Sequence, residues 1–104
     1  MKGRMAMRSL ARPGRLVPTT ARRLRGRIVR LEPGGVMSWH STGRREELLM
    51  PLTGAIRVEY EASRGRIRAT TVSTWQSTFL PRATTHRVVN PSRACHVLYA
   101  YLTG

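Results

Sequence analysis

From residue 26 onward, apolar and polar side chains alternate in short runs separated by turn residues. The alternation is clearest over 55–60, where Ile56, Val58 and Tyr60 interleave with Arg57 and Glu59. A period of two is the signature of a strand with one buried face. The same reading predicts strands over 27–31, 36–41, 47–52, 66–72, 77–80, 86–90 and 96–102. Turns fall at Glu32-Pro33-Gly34-Gly35, Gly43-Arg44-Arg45, Thr53-Gly54, Ser63-Arg64-Gly65, Pro81-Arg82 and Pro91-Ser92, where Gly, Pro and Ser supply the required backbone angles. No 10-residue stretch carries a helical period. Many short strands at regular spacing predict an all-β domain, a sandwich or barrel of the jelly-roll kind.

Residues 1–24 have a different texture. Pro13, Gly14 and Pro18 interrupt any period, and apolar side chains are too sparse to offset the entropy of ordering the backbone. The expected division is a disordered basic tail over 1–24 and one β-domain over 25–104. A chain of 104 residues buries roughly 60 to 65% of its unfolded surface, enough for one modest core and not for two domains.

Charge sharpens that division. The chain carries 19 Lys and Arg against 5 acidic residues, a formal net charge of +14. Lys2 and nine Arg, with no acid, give residues 1–30 a charge of +10, while nine Arg against five Glu leave +4 on residues 31–104. Clustered Arg could bind nucleic acid through counterion release. No aromatic precedes Trp39 to stack on bases, however, so that partner is not expected. A targeting segment is a further alternative for an Arg-rich, acid-poor N-terminus. The lone Cys95 forms no internal disulfide, and no window of about 18 apolar residues spans a membrane. The expectation is an uncleaved cytoplasmic protein.

Three side chains carry candidate metal chemistry. His40 lies in the predicted strand 36–41, projecting with Ser38 and Thr42 and away from Trp39. Glu47 opens the following strand after a reversal, and His86 reaches them only in a closed barrel. Two imidazoles and one carboxylate suit one divalent transition metal, Fe, Mn, Ni, Cu or Zn, with positions left for water or substrate. The competing reading is a pair of satisfied histidines beside an acid paired with Arg. Trp39, Trp75, Phe79, Tyr99 and Tyr101 read as core or dimer packing. Cys95 and His96 are adjacent on a strand and face opposite sides, so they do not share a metal.

The residues between these positions add a resemblance. Gly34, five residues, His40, Ser41, Thr42, four residues, Glu47, six residues and Gly54 resemble the first cupin motif, G-x5-H-x-H-x(3,4)-E-x6-G. Trp75, five residues, Pro81, Arg82, Ala83, two residues, His86, three residues and Asn90 resemble the second, G-x5-P-x-G-x2-H-x3-N. Thr42 stands where the family has a second histidine, and Trp75 and Ala83 stand where it has glycines. The resemblance, over about residues 26–104, implies a small single-domain cupin, a double-stranded β-helix holding one divalent metal inside its barrel. It places His40, Glu47 and His86 at ligand positions and Thr42 at the usual fourth, where water could substitute for its weakly donating hydroxyl. Spacing to Gly54 favours Glu47 over Glu46. Gly54, Pro81 and Asn90 read as structural, and Ala83 raises the expectation of an altered turn.

Two functions follow as expectations. The first is a metal-dependent dioxygenase, isomerase or epimerase acting on a small molecule. The second is a non-catalytic small-molecule-binding or sensor barrel, since one fold hosts both. Small cupins also resemble one another in forming homodimers.

Overall fold

In a computed structural model, which describes residues 6–104, the chain forms nine strands and one single-turn 3-10 segment. The strands are β1 (Gly14–Arg15), β2 (Arg25–Leu31), β3 (Val36–Ser41), β4 (Glu47–Pro51), β5 (Ala55–Glu61), β6 (Ile67–Ser73), β7 (Thr78–Leu80), β8 (Thr85–Val89) and β9 (Val97–Thr103). Eight of them fall where alternation and turn residues predict strands, with ends differing by a residue or two.

All pairings are antiparallel and divide the strands between two sheets, one ordered β1-β2-β9-β4-β7 and the other β3-β8-β5-β6. Successive strands change sheet at β2/β3, β3/β4, β4/β5, β6/β7, β7/β8 and β8/β9, so 42–46 and 52–54 are crossings between sheets and not hairpin turns. Gly54 makes the second crossing possible. Its φ is +68°, and a Cβ there would lie 3.1 Å from Val97 Cγ2, two demands that glycine alone meets cheaply.

The core lies between the sheets and consists of Leu31, Leu49, Ile56, Val58, Val72, Leu80, Val88, Val97 and Tyr99. Burying each aliphatic side chain contributes about 1.5–3 kcal/mol. Ile56 and Val58 are buried while Arg57 and Glu59 lie on the outer face, as their alternation predicts. Of the aromatic residues, Tyr99 joins the core and Tyr101 packs against it. Trp39, Phe79 and Trp75 lie at the surface of the single chain, Trp75 with 99% of its area exposed.

One strand lies outside the sequence reading. Gly14–Arg15 pairs with Arg27–Ile28 and extends the first sheet by a short rung, and the Leu16 amide donates to the Gly26 carbonyl at 2.9 Å. The rest of residues 6–24 is turn and irregular chain. The part of the tail expectation that concerns residues 1–5 lies outside the described residues. Among the described residues, no helix is long and apolar enough to cross a membrane.

Candidate metal centre

The centre is assembled from both sheets. His40 on β3 and His86 on β8 are register partners, and directly opposed residues of an antiparallel pair project to the same face. Their ring centroids lie 4.3 Å apart at 56°. Glu47, the first residue of β4, arrives from the other sheet after the 42–46 crossing. The ligand atoms of His40, Glu47 and His86 lie within 4.8 Å of one another.

A bulge directs His40. Val36 and Met37 pair with Val89 and Val88, but His40 and Ser41 pair with His86 and Thr85, so β3 gains one residue between Met37 and His40. An extra residue reverses the parity of a strand. Met37 and His40, an odd number of positions apart, consequently line the same interior cavity of about 180 Å³ with Glu47, Leu49, His86, Val88, Tyr99 and Tyr101. The simple two-residue alternation that groups His40 with Ser38 and Thr42 does not carry through this strand.

Both imidazoles are oriented by backbone. His40 Nδ1 lies 2.8 Å from the Ser38 carbonyl oxygen and His86 Nδ1 lies 3.1 Å from that of Thr84. A carbonyl only accepts, so each Nδ1 carries a proton, and in the neutral ring Nε2 is then the atom with the lone pair, the arrangement in which histidine binds metals. His86 Nε2 is buried and in the neutral ring has no hydrogen-bond partner. It lies 3.2 Å from Glu47 Oε2, close enough for a protonated ring to donate to the carboxylate. Burial pushes the His86 pKa down, but the Glu47 carboxylate and the Thr84 carbonyl outweigh it, leaving a net rise above the usual value. The site favours a positive charge between imidazole and carboxylate.

Thr42 takes no part in this group. Its hydroxyl donates to the Pro81 carbonyl at 2.7 Å and accepts from the Thr84 amide at 3.0 Å. With both functions engaged, Thr42 fastens the end of β3 to the turn leading into β8. Glu46 is exposed and lies outside the cluster. Two tyrosines complete the cavity wall. Burial raises the pKa of Tyr99 strongly and that of Tyr101 to a lesser extent, with Glu47 adding to both and Arg27 opposing at Tyr101, so both phenols keep their protons at neutral pH.

The turns into β7 and β8 retain the backbone of the glycines they lack. Trp75 has φ +72° and Ala83 φ +55°, the left-handed region that glycine enters without strain. The altered turn expected at Ala83 is therefore not observed. Hydrogen bonds hold it instead, with the Ala83 amide donating to the Gly43 carbonyl at 2.8 Å. At the far end of β8, buried Asn90 donates from Nδ2 to the carbonyls of Leu31, Glu32 and Cys95 at 3.3, 3.0 and 2.9 Å and accepts from the Ser92 amide at 2.9 Å. Exposed Cys95 sits 3.5 Å from the Ser92 hydroxyl, while His96 pairs with Glu32.

No protein-family model matches the chain, and no curated relative does. Solved structures do. The cupin domain from Bordetella pertussis Tohama I superposes with a TM-score of 0.65 at 22% identity, covering 86% of this chain and 88% of that one. The chain has the cupin fold. The same fold relates it to Bacillus subtilis oxalate decarboxylase, a protein with Mn(II) centres, at a TM-score of 0.70 and 21% identity, covering 77% of this chain and 21% of that one. Peruvianin-I, a cysteine peptidase from Thevetia peruviana latex, matches at a TM-score of 0.70 and 17% identity, covering 78% and 50%. The chain thus spans half or less of the length of these last two. Proteins of different chemistry share this cupin fold, so function must be argued from the site.

Proposed function

We propose that the chain binds one divalent transition metal ion through His40, Glu47 and His86 and uses it as an enzyme of the dioxygenase, isomerase or epimerase kind on a small molecule. One observation carries the reading: the buried Nε2 of His86 faces the Glu47 carboxylate at 3.2 Å, with the His40 ring beside them and all three ligand atoms within 4.8 Å of one another. Buried against a carboxylate, Nε2 is partnered only when it holds a proton, and a divalent cation can take the place of that proton between the two groups. The donor set fits. Two neutral imidazoles and a carboxylate suit Fe, Mn, Ni, Cu or Zn, and the Mn(II) centres of oxalate decarboxylase, which has the same fold, support manganese among the first ions to test. Such an ion polarises a coordinated carbonyl or lowers the pKa of a coordinated water. The chain's own residues do the rest. Ser38 and Thr84 carbonyls hold the ring tautomers, Leu49 and Val88 exclude bulk water, and the neutral Tyr99 and Tyr101 phenols can donate hydrogen bonds within the cavity.

The test is metal content by mass spectrometry on protein purified without a metal-binding tag, beside His40→Ala and His86→Ala. About one ion per chain, absent from both variants, is expected, followed by metal-dependent turnover or oxygen uptake on carbonyl and phenolic substrates. No ion after reconstitution would overturn the reading and favour a non-catalytic binding barrel, recognised by ligand-induced thermal stabilisation of metal-free protein. A homodimer belongs to the same proposal. Strand β7 is an open sheet edge, and Trp75 and Phe79 beside it are exposed; pairing would cover both. Light scattering at a monomer mass would refute it.

A further inference from the structure

Glu47 also faces outward. With Tyr101 it lines a second cavity of about 540 Å³ at the mouth of the barrel, whose walls include Arg15, Arg25, Arg27 and Arg45. Sheet register explains why three of these arginines gather there, and Arg45 joins them from the 42–46 crossing, where it reaches Thr103. Arg15 pairs with Arg27, Arg27 with Tyr101, and Tyr101 with Leu49, forming one row across β1, β2, β9 and β4. Arg25, Thr103 and Glu47 form the adjacent row across β2, β9 and β4. Directly opposed residues share a face, and rows two residues apart share it too. The face that supplies core residues and Glu47 at its centre thus supplies arginines at its outer end.

This arrangement works against stability of the free chain. Like charges directly opposite one another on an antiparallel pair destabilise it, and Arg15 opposite Arg27 is such a pair. No neighbour compensates. Among the described residues, the ion pairs are Arg30–Glu32, Arg57–Glu59, Arg87–Glu59, His86–Glu47 and His96–Glu32, and none includes any of these four arginines. Arg25 donates only to the Ala21 and Leu24 carbonyls and Arg45 only to the Thr103 hydroxyl, at 3.4 Å. Four guanidinium groups without carboxylate partners in one concave site, where each can present paired donors to a planar or tetrahedral oxyanion, constitute an anion-binding surface.

We propose that the mouth cavity binds a small polyanion bearing phosphate or carboxylate groups, with residues 15–25 forming one wall. As an anion site it stands on the arginines alone; as a substrate site delivering its ligand toward Glu47 it rests on the metal reading above. The volume suits an organic molecule of several carbons, and the charge balance of four arginines against one glutamate suits more than one negative charge.

The experiment is calorimetric titration of the metal-free full-length protein with pyrophosphate and, separately, with citrate at physiological ionic strength. Saturable binding of one anion per chain is expected. Tighter binding of pyrophosphate assigns a phosphate ligand and tighter binding of citrate a carboxylate. Arg27→Gln and Arg45→Gln should each weaken it about tenfold, the loss expected for a charge-assisted hydrogen-bonding group. Arg68→Gln, which removes the same charge from the exposed edge strand β6, should leave it unchanged. Equal weakening by Arg68→Gln, or no saturable binding of either anion, would overturn the proposal, since general attraction to a basic chain would then suffice. His86→Ala separates the two readings. Retained anion binding in that variant supports the arginine site whether or not the wild type holds a metal, and a loss in the well-folded variant counts against it.

Discussion

The two motif-bearing stretches, 34–54 and 75–90, meet on one rung of the β3–β8 ladder yet place their histidines in opposite surroundings. His86 is fully buried, whereas His40 is exposed. Strand β8 of the second stretch is held at both ends, by Asn90 at the exit and by the Thr42 and Gly43 contacts at the entry. The first reaches the centre through a bulge and a crossing. A candidate centre built this way has one fixed face and one adaptable face. Metal or substrate exchange would proceed from the His40 side.

Four substitutions test that contrast. Asn90→Ala should have the largest effect, about 3–4 kcal/mol of destabilisation, because it leaves three carbonyls and an amide without their partner; urea unfolding measures it. An effect below about 1 kcal/mol would mean that the second stretch is not anchored there. Thr42→Val keeps the shape but removes both bonds joining the stretches, with an expected cost of about 2 kcal/mol. If metal affinity falls while stability is unchanged, Thr42 is a ligand after all and the clamp is wrong.

Ala83→Gly runs the other way. Relief of a left-handed alanine, about 1–2 kcal/mol, exceeds the added unfolded-state entropy of about 0.5–1 kcal/mol, so the midpoint should rise slightly. The smallest effect concerns pH. Glu59 accepts from Arg87, which lies over the Trp39 ring at 5.2 Å, and from Arg57 at 3.1 Å. The Arg87 hydrogen bond leads in holding its carboxyl below the usual range, against a smaller opposing push from burial. A depressed folded pKa contributes stability that is full above the ordinary carboxyl pKa and fades as pH falls through the folded one. Glu59→Gln should flatten that acid-side decline in urea midpoints taken between neutral and acid pH. An unaltered slope would remove Glu59 from the account.

Much of this was legible before any coordinates. Strand 55–60 could be read because one face is buried and the other wet, and strand 36–41 because turn residues bound it. His40, Glu47 and His86 were legible as a group through motif spacing. The sheet change after β3 was not, because a crossing and a hairpin both need a flexible segment such as 42–46. Nor was the role of Thr42, whose partner Pro81 lies 39 positions away. Strand β1 escaped notice because two residues flanked by Pro13 and Leu16 carry no period. The glycine-like angles at Trp75 and Ala83 run against local preference and are imposed by tertiary hydrogen bonds.

The bulge in β3 makes the centre a matter of counting. Were β3 to run as a plain strand at its present length, His40 would slide opposite Thr85 and its ring would swing to the outside of the barrel; deleting Ser38 or Trp39 instead would keep His40 opposite His86, since Met37 and His40 would then stand two positions apart on one face. The bulge therefore absorbs an odd spacing that plain alternation could not, and losing the bulge without losing a residue would part His40 from the other two candidate ligands. In a scaffold of this kind, strand register decides which side chains meet inside the barrel as much as residue identity does.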